Sequence, residues 1–362
     1  MASPRKIFVF TYLPSPYQVE LFDAVTATGT DLFVFYACRS HDTPIAERWN
    51  IPPLAHAHAF ADSGGMLSGE VLEKLARSDL YLMNYYRHPA AKPLLHARLR
   101  SGKPWCFWGE RPGSRFRGLL GKLYRAVSLW PLLRSQAPIW GIGSWAVDAW
   151  RRDFGSRRAY HNIPYFSDLS RFARPHVNAG AKTLRILFSG SLIERKGVDL
   201  LAHAFAELAR EQPEAHLTFA GVGPLQASLE QTLASCAGQV EFPGFVPWDQ
   251  LPAVYAEADI LCVPSRYDGW AMVVPEGLAA GLPVMTTDHT GAAYDLVRHG
   301  INGWTLPAHD RAALLKCMRE AAALSPEQRA TMRTAAVASV SQHQLDDGVA
   351  RFLQAAEASL AA

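Results

Sequence analysis

Short apolar runs alternate with longer amphipathic stretches along most of this chain. The runs at 7–12, 32–37, 80–84, 105–108 and 139–142 are continuous and rich in aromatic and branched residues. That pattern is typical of strands buried on both faces of a sheet. The stretches between the runs, such as 16–26 and 144–154, have helical spacing. An alternation of buried strands and helices predicts an α/β fold with parallel sheets.

A second series of the same kind begins after residue 182. Its strands are predicted at 184–189, 215–220, 240–242, 260–263 and 284–287, its helices at 199–211 and 225–237, and an Ala-rich helical end at 323–362. Two such series predict two Rossmann-like domains that face a central cleft, with ligands at the carboxyl ends of the strands. We expect a first domain at 1–166, a linker at 167–182, a second domain at 183–342 and a C-terminal helix at 343–362 that crosses back to the first domain.

Composition supports a globular enzyme of two domains. The chain has 362 residues, of which 49% are apolar and 19% charged, and this length usually exceeds a single core. It contains no apolar run of about 20 residues that would span a membrane, and the N-terminus lacks the features of a signal peptide. Five scattered cysteines form no CxxC pair, which favours buried thiols in a reducing cytosol.

Charge divides unevenly between the two halves. Residues 1–180 hold 23 Lys and Arg against 13 Asp and Glu, whereas 181–362 hold 13 against 20. The segment 111–134 contains six basic residues and no acid, with Leu, Tyr, Val and Trp at helical spacing between them. This segment could lie on an anionic lipid surface. The membrane contacts would then come from Arg115, Arg117, Lys122 and Arg125. The alternative is an ordinary amphipathic helix that packs its apolar face on its own domain. Nucleic acid is disfavoured because no binding motif accompanies the basic residues.

The segment 266–284, RYDGWAMVVPEGLAAGLPV, carries the most specific chemistry. It places two carboxylates, Asp268 and Glu276, eight positions apart. The turn Gly269–Trp270–Ala271 between them would leave backbone N–H groups free before a helix, which is an anion site. A diphosphate with hydroxyl-rich groups at both ends fits this arrangement, and a nucleotide sugar is such a ligand.

Loops after three other strands of the second series add to this site. The strand at 184–189 ends in Gly190, Ser191 and the cations Arg195 and Lys196, which could contact a diphosphate. The strand at 215–220 ends in Gly221-Val-Gly223, a tight turn that would let a flat base approach the backbone. The segment 241–246, which ends in Val246, could line the base pocket. Each of these signals is weak alone. The prediction of a ligand site is stronger because all of these loops follow strands of the same predicted domain.

Together these segments resemble the family 4 glycosyltransferases, which have the GT-B fold. FSGSLIERKGVDLL, FAGVGPL, FPGFVP, ADILCVPSRYDGWAMVVPEGLAAGLPV and LVRHGINGWTL stand in family order from about 188 to 307. The first half matches only loosely, although YLPSPYQ at 12–18 resembles members that build bacterial surface polysaccharides. The resemblance implies transfer of a hexose with retention of configuration and without a metal.

The family pattern also assigns roles to individual residues. Glu276 matches the acid that binds the ribose hydroxyls, and Asp268 matches the acid placed against the donor sugar. Gly269, Trp270 and Ala271 match the backbone donors to the distal phosphate, and Lys196 matches the lysine that neutralises the leaving diphosphate. Two positions depart from the pattern: Asp268 is one methylene shorter than the usual Glu, and Ser191 stands where many members have Arg. Arg195 could replace that missing cation.

In the first half, the sequence offers an acceptor site. Glu110 follows the strand at 105–108 and could orient the acceptor hydroxyl as a third catalytic residue, with Tyr17 shaping the pocket. The alternative is a surface Glu110 paired with Arg111. We expect no metal site, because neither an Asp-x-Asp motif nor a zinc spacing is present, and His56 and His58 are expected to be solvated.

The sequence therefore predicts a retaining, metal-independent glycosyltransferase of bacterial surface polysaccharide or lipopolysaccharide synthesis. By the resemblance to this family, its donor would be a UDP-sugar rather than a GDP-sugar, and its acceptor a glycan or a lipid-linked precursor. It would need no cofactor and would act as a peripheral protein at the inner face of the cytoplasmic membrane. Two alternatives remain open: a nucleotide-sugar epimerase or hydrolase on the same fold, and a catalytically idle relative that binds carbohydrate or membrane.

Overall fold

The computed structural model describes residues 5–39, 53–62, 64–112, 118–175 and 183–361. The chain divides into two compact units. The first holds Met1–Asp168 and Gln344–Ala362, and the second holds Leu169–His343. Each unit has its own parallel sheet, so the prediction of two α/β units is confirmed.

The first unit consists of strands and helices in alternation. Its strands are β1 (Lys6–Thr11), β2 (Asp31–Tyr36), β3 (Ala57–Phe60), β4 (Leu80–Met83), β5 (Trp105–Gly109), β6 (Ile139–Gly141) and β7 (Tyr160–Asn162). Its helices are α1 (Pro16–Ala27), α2 (Gly69–Arg77), α3 (Ala91–Ser101), α4 (Gly118–Ser128), α5 (Trp130–Leu133), α6 (Ser144–Phe154) and, from the C-terminus, α14 (Leu345–Ala361). The sheet has seven parallel strands in the order β3-β2-β1-β4-β5-β6-β7. Strand order therefore reverses between β1 and β4.

The C-terminal helix α14 is part of the first unit and packs against α1. Its Phe352 meets Trp140 edge to face, with ring centroids 5.2 Å apart. The Trp140 indole N–H donates to Ser359 Oγ at 3.1 Å. Gly348 allows the helix to approach closely, because a Cβ at this position would lie 2.4 Å from the Phe166 ring. Apolar burial and a satisfied indole N–H thus fix the end of the chain to this unit.

The second unit follows the same plan. Its strands are β8 (Arg185–Ser189), β9 (His216–Ala220), β10 (Val240–Gly244), β11 (Ile260–Val263), β12 (Val284–Thr287) and β13 (Gly303–Leu306). Its helices are α7 (Val198–Glu211), α8 (Gln226–Thr232), α9 (Leu251–Glu257), α10 (Val273–Ala279), α11 (Gly291–Leu296), α12 (Arg311–Ala322) and α13 (Pro326–Ser339). The six strands are parallel in the order β10-β9-β8-β11-β12-β13, so the order reverses between β8 and β11.

Two local predictions differ from the structure. The segment 167–182 is not an irregular linker throughout, because Leu169–Phe172 forms a 3₁₀ helix that packs on α9 and α10 of the second unit. Leu169 and Phe172 are buried, which holds this turn in place. The helix predicted at 225–237 ends at Thr232, and a 3₁₀ segment with non-helical torsion angles at Cys236 follows it.

None of the helices in the described ranges combines the length and the apolarity needed to cross a bilayer.

Candidate functional site

In the second unit, the reversal of strand order brings together the loops that follow β8 and β11. In open parallel sheets, ligands bind at this point, outside the carboxyl ends of the strands. The two loops here are 190–197 and 264–272, which contain most of the predicted donor-binding residues. The topology therefore points to the same segments as the sequence motifs.

Lys196 and Asp268, predicted to serve the diphosphate and the donor sugar, lie in direct contact. The Lys196 ammonium donates to Asp268 Oδ2 at 2.5 Å, and both side chains are mostly buried. Burial raises the pKa of the Asp268 carboxyl, but Lys196, Arg195 and the Trp270 amide together lower it below its usual value. Asp268 is therefore ionised at neutral pH and holds Lys196 at the strand ends.

Arg195 also points toward this site. Its guanidinium donates to the Tyr267 carbonyl at 2.9 Å and lies 3.9 Å from Asp268 Oδ2. Ser191 is half-buried in the same loop. A second cation is thus present beside Asp268 although Ser191 replaces the arginine of the family pattern.

A pair of residues that the sequence did not single out joins the two loops. Arg266 contacts both carboxylate oxygens of Asp199, at 2.6 Å each. Burial raises the pKa of Asp199, but the bonds from Arg266 lower it below its usual value. The Arg266 amide also donates to the Arg195 carbonyl at 2.9 Å. Because bidentate Arg–carboxylate pairs have a defined geometry, this contact fixes the 190–197 loop against the 264–272 loop. The position of Asp199 in the first turn of α7 was the available sequence signal.

The turn around Trp270 is connected to the segment 289–292. Asp268 N–H donates to the His289 carbonyl, and the carbonyls of Asp268 and Trp270 accept from the amides of Gly291 and Ala292. Gly291 is required there, since a Cβ would lie 2.1 Å from the Gly269 carbonyl oxygen. These hydrogen bonds fix the backbone of Asp268 and Trp270 against the segment 289–292.

The turn also carries the backbone amides of Gly269, Trp270 and Ala271. The Trp270 amide bonds to the Asp268 carboxylate. Across the described part of the chain, no recorded backbone hydrogen bond uses the amides of Gly269 or Ala271 as donors. Ala271 has φ of 71°, a strained backbone conformation for a residue with a side chain. The two amides are therefore available to an anion, and α10, with only seven residues, contributes little dipole of its own.

Gly221 and Gly223 of the predicted donor site lie where two loops of the second unit approach each other. A Cβ on Gly221 would lie 1.9 Å from the Gly190 carbonyl oxygen, and one on Gly223 would lie 2.4 Å from that of Leu192. Leu192 N–H also donates to the Val222 carbonyl at 3.0 Å. Gly221 and Gly223 thus let the loops after β8 and β9 pack closely against each other.

Glu276 is buried on α10 and interacts with a residue that the sequence did not identify. The Tyr255 hydroxyl donates to Glu276 Oε2 at 3.2 Å. Val246, predicted for the base pocket, is half-buried in the loop after β10. Two residues further along, the Trp248 ring is covered by the Arg171 guanidinium at 3.6 Å. Tyr255 and Trp248 were missed because a single aromatic residue on a helix or loop gives no periodic signal.

In the first unit, Glu110 and Tyr17 are linked through Tyr165. The Tyr165 hydroxyl donates to Glu110 Oε1 at 3.0 Å, and the rings of Tyr17 and Tyr165 lie 4.7 Å apart. The Arg111 guanidinium lies over the Trp145 ring at 3.5 Å. The two residues predicted for the acceptor thus lie in one cluster that follows β5.

A pair of tyrosines lies where strand order reverses in the first unit. Tyr12 follows β1 and Tyr85 follows β4, and their ring centroids are 4.7 Å apart. Tyr12 is exposed and Tyr85 is half-buried. Aromatic rings at a switch point are typical of ligand sites in open parallel sheets.

The four residues predicted to contact a membrane differ in where the structure places them. Arg115 and Arg117 lie outside the described residues. Lys122 is exposed on α4. Arg125 is buried, with its Nε 2.6 Å from Asp153 Oδ2, so its assignment to a membrane surface is wrong. Its charge is neutralised within the unit.

The apolar side chains of α4 do not pack on their own unit. Leu119 and Leu120 are 84% and 82% exposed, and Leu123 and Val127 are exposed as well. Gly121 and Arg125 face the protein instead. The alternative of an ordinary helix with its apolar face buried on its own domain is therefore not what the structure shows.

Of the two histidines expected to be solvated, His58 is exposed but His56 is buried. His56 is 1% exposed, its Nδ1 lies 2.5 Å from Asp23 Oδ1 and its Nε2 2.9 Å from the Tyr36 hydroxyl. Burial lowers the pKa of His56, and Asp23 offsets this only in part. Within the described ranges, no three His, Cys, Asp or Glu side chains are grouped in a way that could hold a metal ion.

Two α/β units with these sheets, and a cationic switch point in the second, define the GT-B fold. HepE from Anabaena, solved in complex with UDP and glucose, superposes with a TM-score of 0.76 over 98% of this chain and 99% of its own, at 17% identity. Residues 183–323 match the family model described as Glycosyl transferases group 1. The second unit is therefore a glycosyl transferases group 1 domain.

Curated relatives match part of the chain. WcaL of Escherichia coli K12, named for colanic acid biosynthesis, is 30% identical over 155 residues, which is 41% of this chain and 38% of WcaL. Mannosylfructose-phosphate synthase of Agrobacterium fabrum is 32% identical over 165 residues, or 40% of this chain and 36% of its own. The matches thus cover well under half the length of these relatives.

Proposed function

We propose that this protein is a retaining glycosyltransferase that transfers a hexose from a nucleotide diphosphate sugar to a hydroxyl group of a glycan or a lipid-linked acceptor. The observation that carries the proposal is the meeting of Lys196, Asp268 and the amides of Gly269 and Ala271 at the switch point of the second unit. A cation and two N–H dipoles at one point suit a diphosphate that departs with negative charge.

The chemistry follows from where charge develops. Cleavage of the bond between the anomeric carbon and the phosphate oxygen leaves positive charge on the sugar ring and negative charge on the diphosphate. Lys196 and the two amides would stabilise that negative charge, and Asp268, ionised at neutral pH, would face the donor sugar. The released phosphate accepts the proton of the incoming hydroxyl on the same face, so the configuration is retained. Lys196 and Arg195 supply positive charge that a metal ion supplies in other transferases.

The donor is proposed to be a UDP-sugar rather than a GDP-sugar. HepE, which shares the fold of this chain, was solved with UDP and with UDP-glucose. Glu276 would bind the ribose hydroxyls, and the loop that contains Val246 would line the base pocket. These assignments rest on family position and on the placement of both segments after strands of one parallel sheet, Glu276 after β11 and Val246 after β10.

The acceptor is proposed to bind the first unit through Glu110 and Tyr17. The bond from Tyr165 to Glu110 fixes this carboxylate after β5, where it could orient a hydroxyl group. The exposed ring of Tyr12 and the half-buried ring of Tyr85 could extend such a site with surfaces for a sugar ring. WcaL, which matches 41% of this chain, is named for colanic acid biosynthesis, which supports a surface polysaccharide or lipopolysaccharide precursor as the proposed acceptor.

The protein is further proposed to act at the inner face of the cytoplasmic membrane. The exposed residues Leu119, Leu120 and Leu123 of α4, with Lys122 among them, form an apolar surface bordered by positive charge. A helix of this kind lies at the interface of an anionic bilayer, where leucines enter the acyl boundary. The excess of basic residues in 1–180 adds to the attraction.

Labelled nucleotide sugars, incubated with and without lipid-linked acceptor, test the reaction. Acceptor-dependent release of nucleotide diphosphate supports the transferase. Conversion of the donor without acceptor would instead identify an epimerase or a hydrolase, and binding without turnover would identify an idle relative.

Vesicle sedimentation tests the membrane surface. The triple variant Leu119→Ser, Leu120→Ser and Leu123→Ser should lose most of its binding to phosphatidylglycerol vesicles, while Met66→Ser, an exposed apolar residue elsewhere in the first unit, should bind as the wild type does. Equal binding by the triple variant would exclude α4 as the membrane contact.

A further inference from the structure

A chain of buried polar groups extends from the β-sheet of the second unit to Glu276. Ser189 ends β8, Tyr255 lies on α9 and Glu276 lies on α10. Their exposed fractions are 8%, 0% and 6%. Buried polar groups are costly unless they are hydrogen-bonded, so a connected set of three at the strand ends calls for an explanation.

The hydrogen bonds of this chain converge on the carboxylate. The Tyr255 hydroxyl donates to Glu276 Oε2 at 3.2 Å, and the Ser189 side chain at the end of β8 interacts with the Tyr255 hydroxyl. Burial raises the pKa of Tyr255 well above its usual value, so the phenol keeps its proton and remains a donor at any physiological pH. One oxygen of Glu276 is thereby held by a donor that does not titrate.

The Tyr255 ring cannot easily turn away from this contact. Phe172, in the 3₁₀ helix Leu169–Phe172, meets it at 61° with ring centroids 5.1 Å apart. This 3₁₀ helix packs on both α9 and α10. The elements that carry Tyr255 and Glu276 are therefore fixed to each other by a third element.

We propose that Tyr255, supported by Ser189, is a positioning residue that fixes the Glu276 carboxylate for the vicinal hydroxyls of a ribonucleotide. This inference rests on the proposed function, in which Glu276 binds the donor ribose. A carboxylate accepts two hydroxyl donors well only in one orientation, and a hydroxyl bond to one oxygen selects that orientation in advance of binding. The protein would in this way prefer ribonucleotides to nucleotides that lack the diol.

Calorimetric titration with UDP and GDP, each beside its 2′,3′-dideoxy analogue, tests this role. The wild type should bind the ribonucleotide of its preferred base more tightly than the dideoxy form. Tyr255→Phe should weaken binding of the ribonucleotide by about tenfold, the effect of losing one hydrogen bond to a charged group. It should leave binding of the dideoxy form unchanged. A merely structural effect would weaken both ligands equally.

Two further variants make the test decisive. Ser189→Ala removes only the support of Tyr255 and should weaken ribonucleotide binding by about twofold to threefold, which provides a readout if Tyr255→Phe folds poorly. Tyr81→Phe deletes another buried tyrosine hydroxyl, one in the first unit without a recorded partner among the described residues, and should change neither affinity.

The outcomes separate this inference from the proposed function. If Glu276→Gln loses the preference for the diol while Tyr255→Phe and Ser189→Ala keep it, the positioning role is refuted and the donor site stands. If the wild type itself binds the ribonucleotide and dideoxy forms equally, Glu276 is not at the ribose, and both the donor assignment and this inference fail.

Discussion

The sequence identified Lys196 and Asp268 as site residues but did not predict their contact. Each was identified from its own motif. The hydrogen bond between them joins residues 72 positions apart in the chain, and no sequence pattern indicates such a contact. The same limit explains why Asp199, Arg266 and Tyr255 were missed. Their importance comes from partners brought close by the parallel sheet, and no local pattern encodes such pairs. The positive φ angle of Ala271 was not predicted, because this backbone conformation is normally indicated by a glycine and position 271 is an alanine.

Replacing Lys196 by Ala should lower kcat by about 10²–10³-fold, the effect of removing one preorganised donor at a developing negative charge. The loss should appear in kcat more than in KM, because the diphosphate charge grows as the sugar leaves. Steady-state kinetics with the nucleotide sugar measures both. Lys316→Ala, which removes an exposed lysine on α12, is the control. A Lys196→Ala enzyme within twofold of wild-type kcat would remove Lys196 from the mechanism.

At the scale of elements, the sequence predicted the central strands of the described sheets and one edge strand, β10, but missed the other three edge strands. β3 and β7 end the seven-stranded sheet, and β10 and β13 end the six-stranded sheet. β3 reads AHAF with no residue fully buried, and β7 has only three residues. Edge strands of this kind lack the continuous apolar run on which the prediction depends. Central strands such as β1 and β8 have that run and were predicted within about a residue of their ends.

The turn that joins the Lys196 loop to α7 makes a prediction at the same scale. Gly197 has φ of 71°, and a Cβ there would lie 2.0 Å from the Pro264 carbonyl oxygen. Gly197→Ala should reduce the free energy of unfolding of the second unit by about 2–4 kcal/mol, through left-handed strain and overpacking together, and should also reduce activity by displacing Lys196.

The matched control is Gly300→Ala in the same unit. Gly300 has φ of 74° but nothing within 4 Å of the added Cβ, so only the left-handed strain of about 1–2 kcal/mol remains. Urea unfolding of both variants measures the difference. If both variants lose the same free energy of unfolding, the close approach of residue 197 to the Pro264 carbonyl does not affect stability.

For the whole molecule, composition and the alternation of strands and helices predicted two α/β units. Which side chains of α4 are exposed could not be predicted from the sequence and was shown only by the structure. Helical spacing of leucines indicates an apolar face without showing what covers it. The structure exposes Leu119 and Leu120 and buries Arg125, the reverse of the usual pattern, because Asp153 supplies a partner for that cation. At least one of the excess positive charges of the first half, that of Arg125, is therefore buried and neutralised and is not available to a partner at the surface.

Stability against acid is a property of the whole first unit, and His56 should control part of it. Since burial lowers the pKa of His56 in the folded protein, the unfolded chain takes up this proton first as the pH falls below about 6.5. The free energy of unfolding should therefore fall as the pH drops below about 6.5, and His56→Gln should flatten that decline. Burial lowers the pKa of His88 and His161 as well, so some slope should remain.

Urea unfolding at pH 7.5 and pH 5.5 measures the effect, with His58→Gln, at an exposed position, as the control. A His56→Gln variant whose stability declines as steeply as that of the wild type would show that His56 does not bind this proton.

The central claim is that the second unit binds a diphosphate through Lys196 and the backbone beyond Asp268, and a crystal structure of the chain with UDP tests it most directly. We expect oxygens of the distal phosphate within about 3 Å of Lys196 Nζ and of the amide nitrogens of Gly269 and Ala271. A diphosphate bound elsewhere, with Lys196 still held by Asp268 alone, would contradict the account.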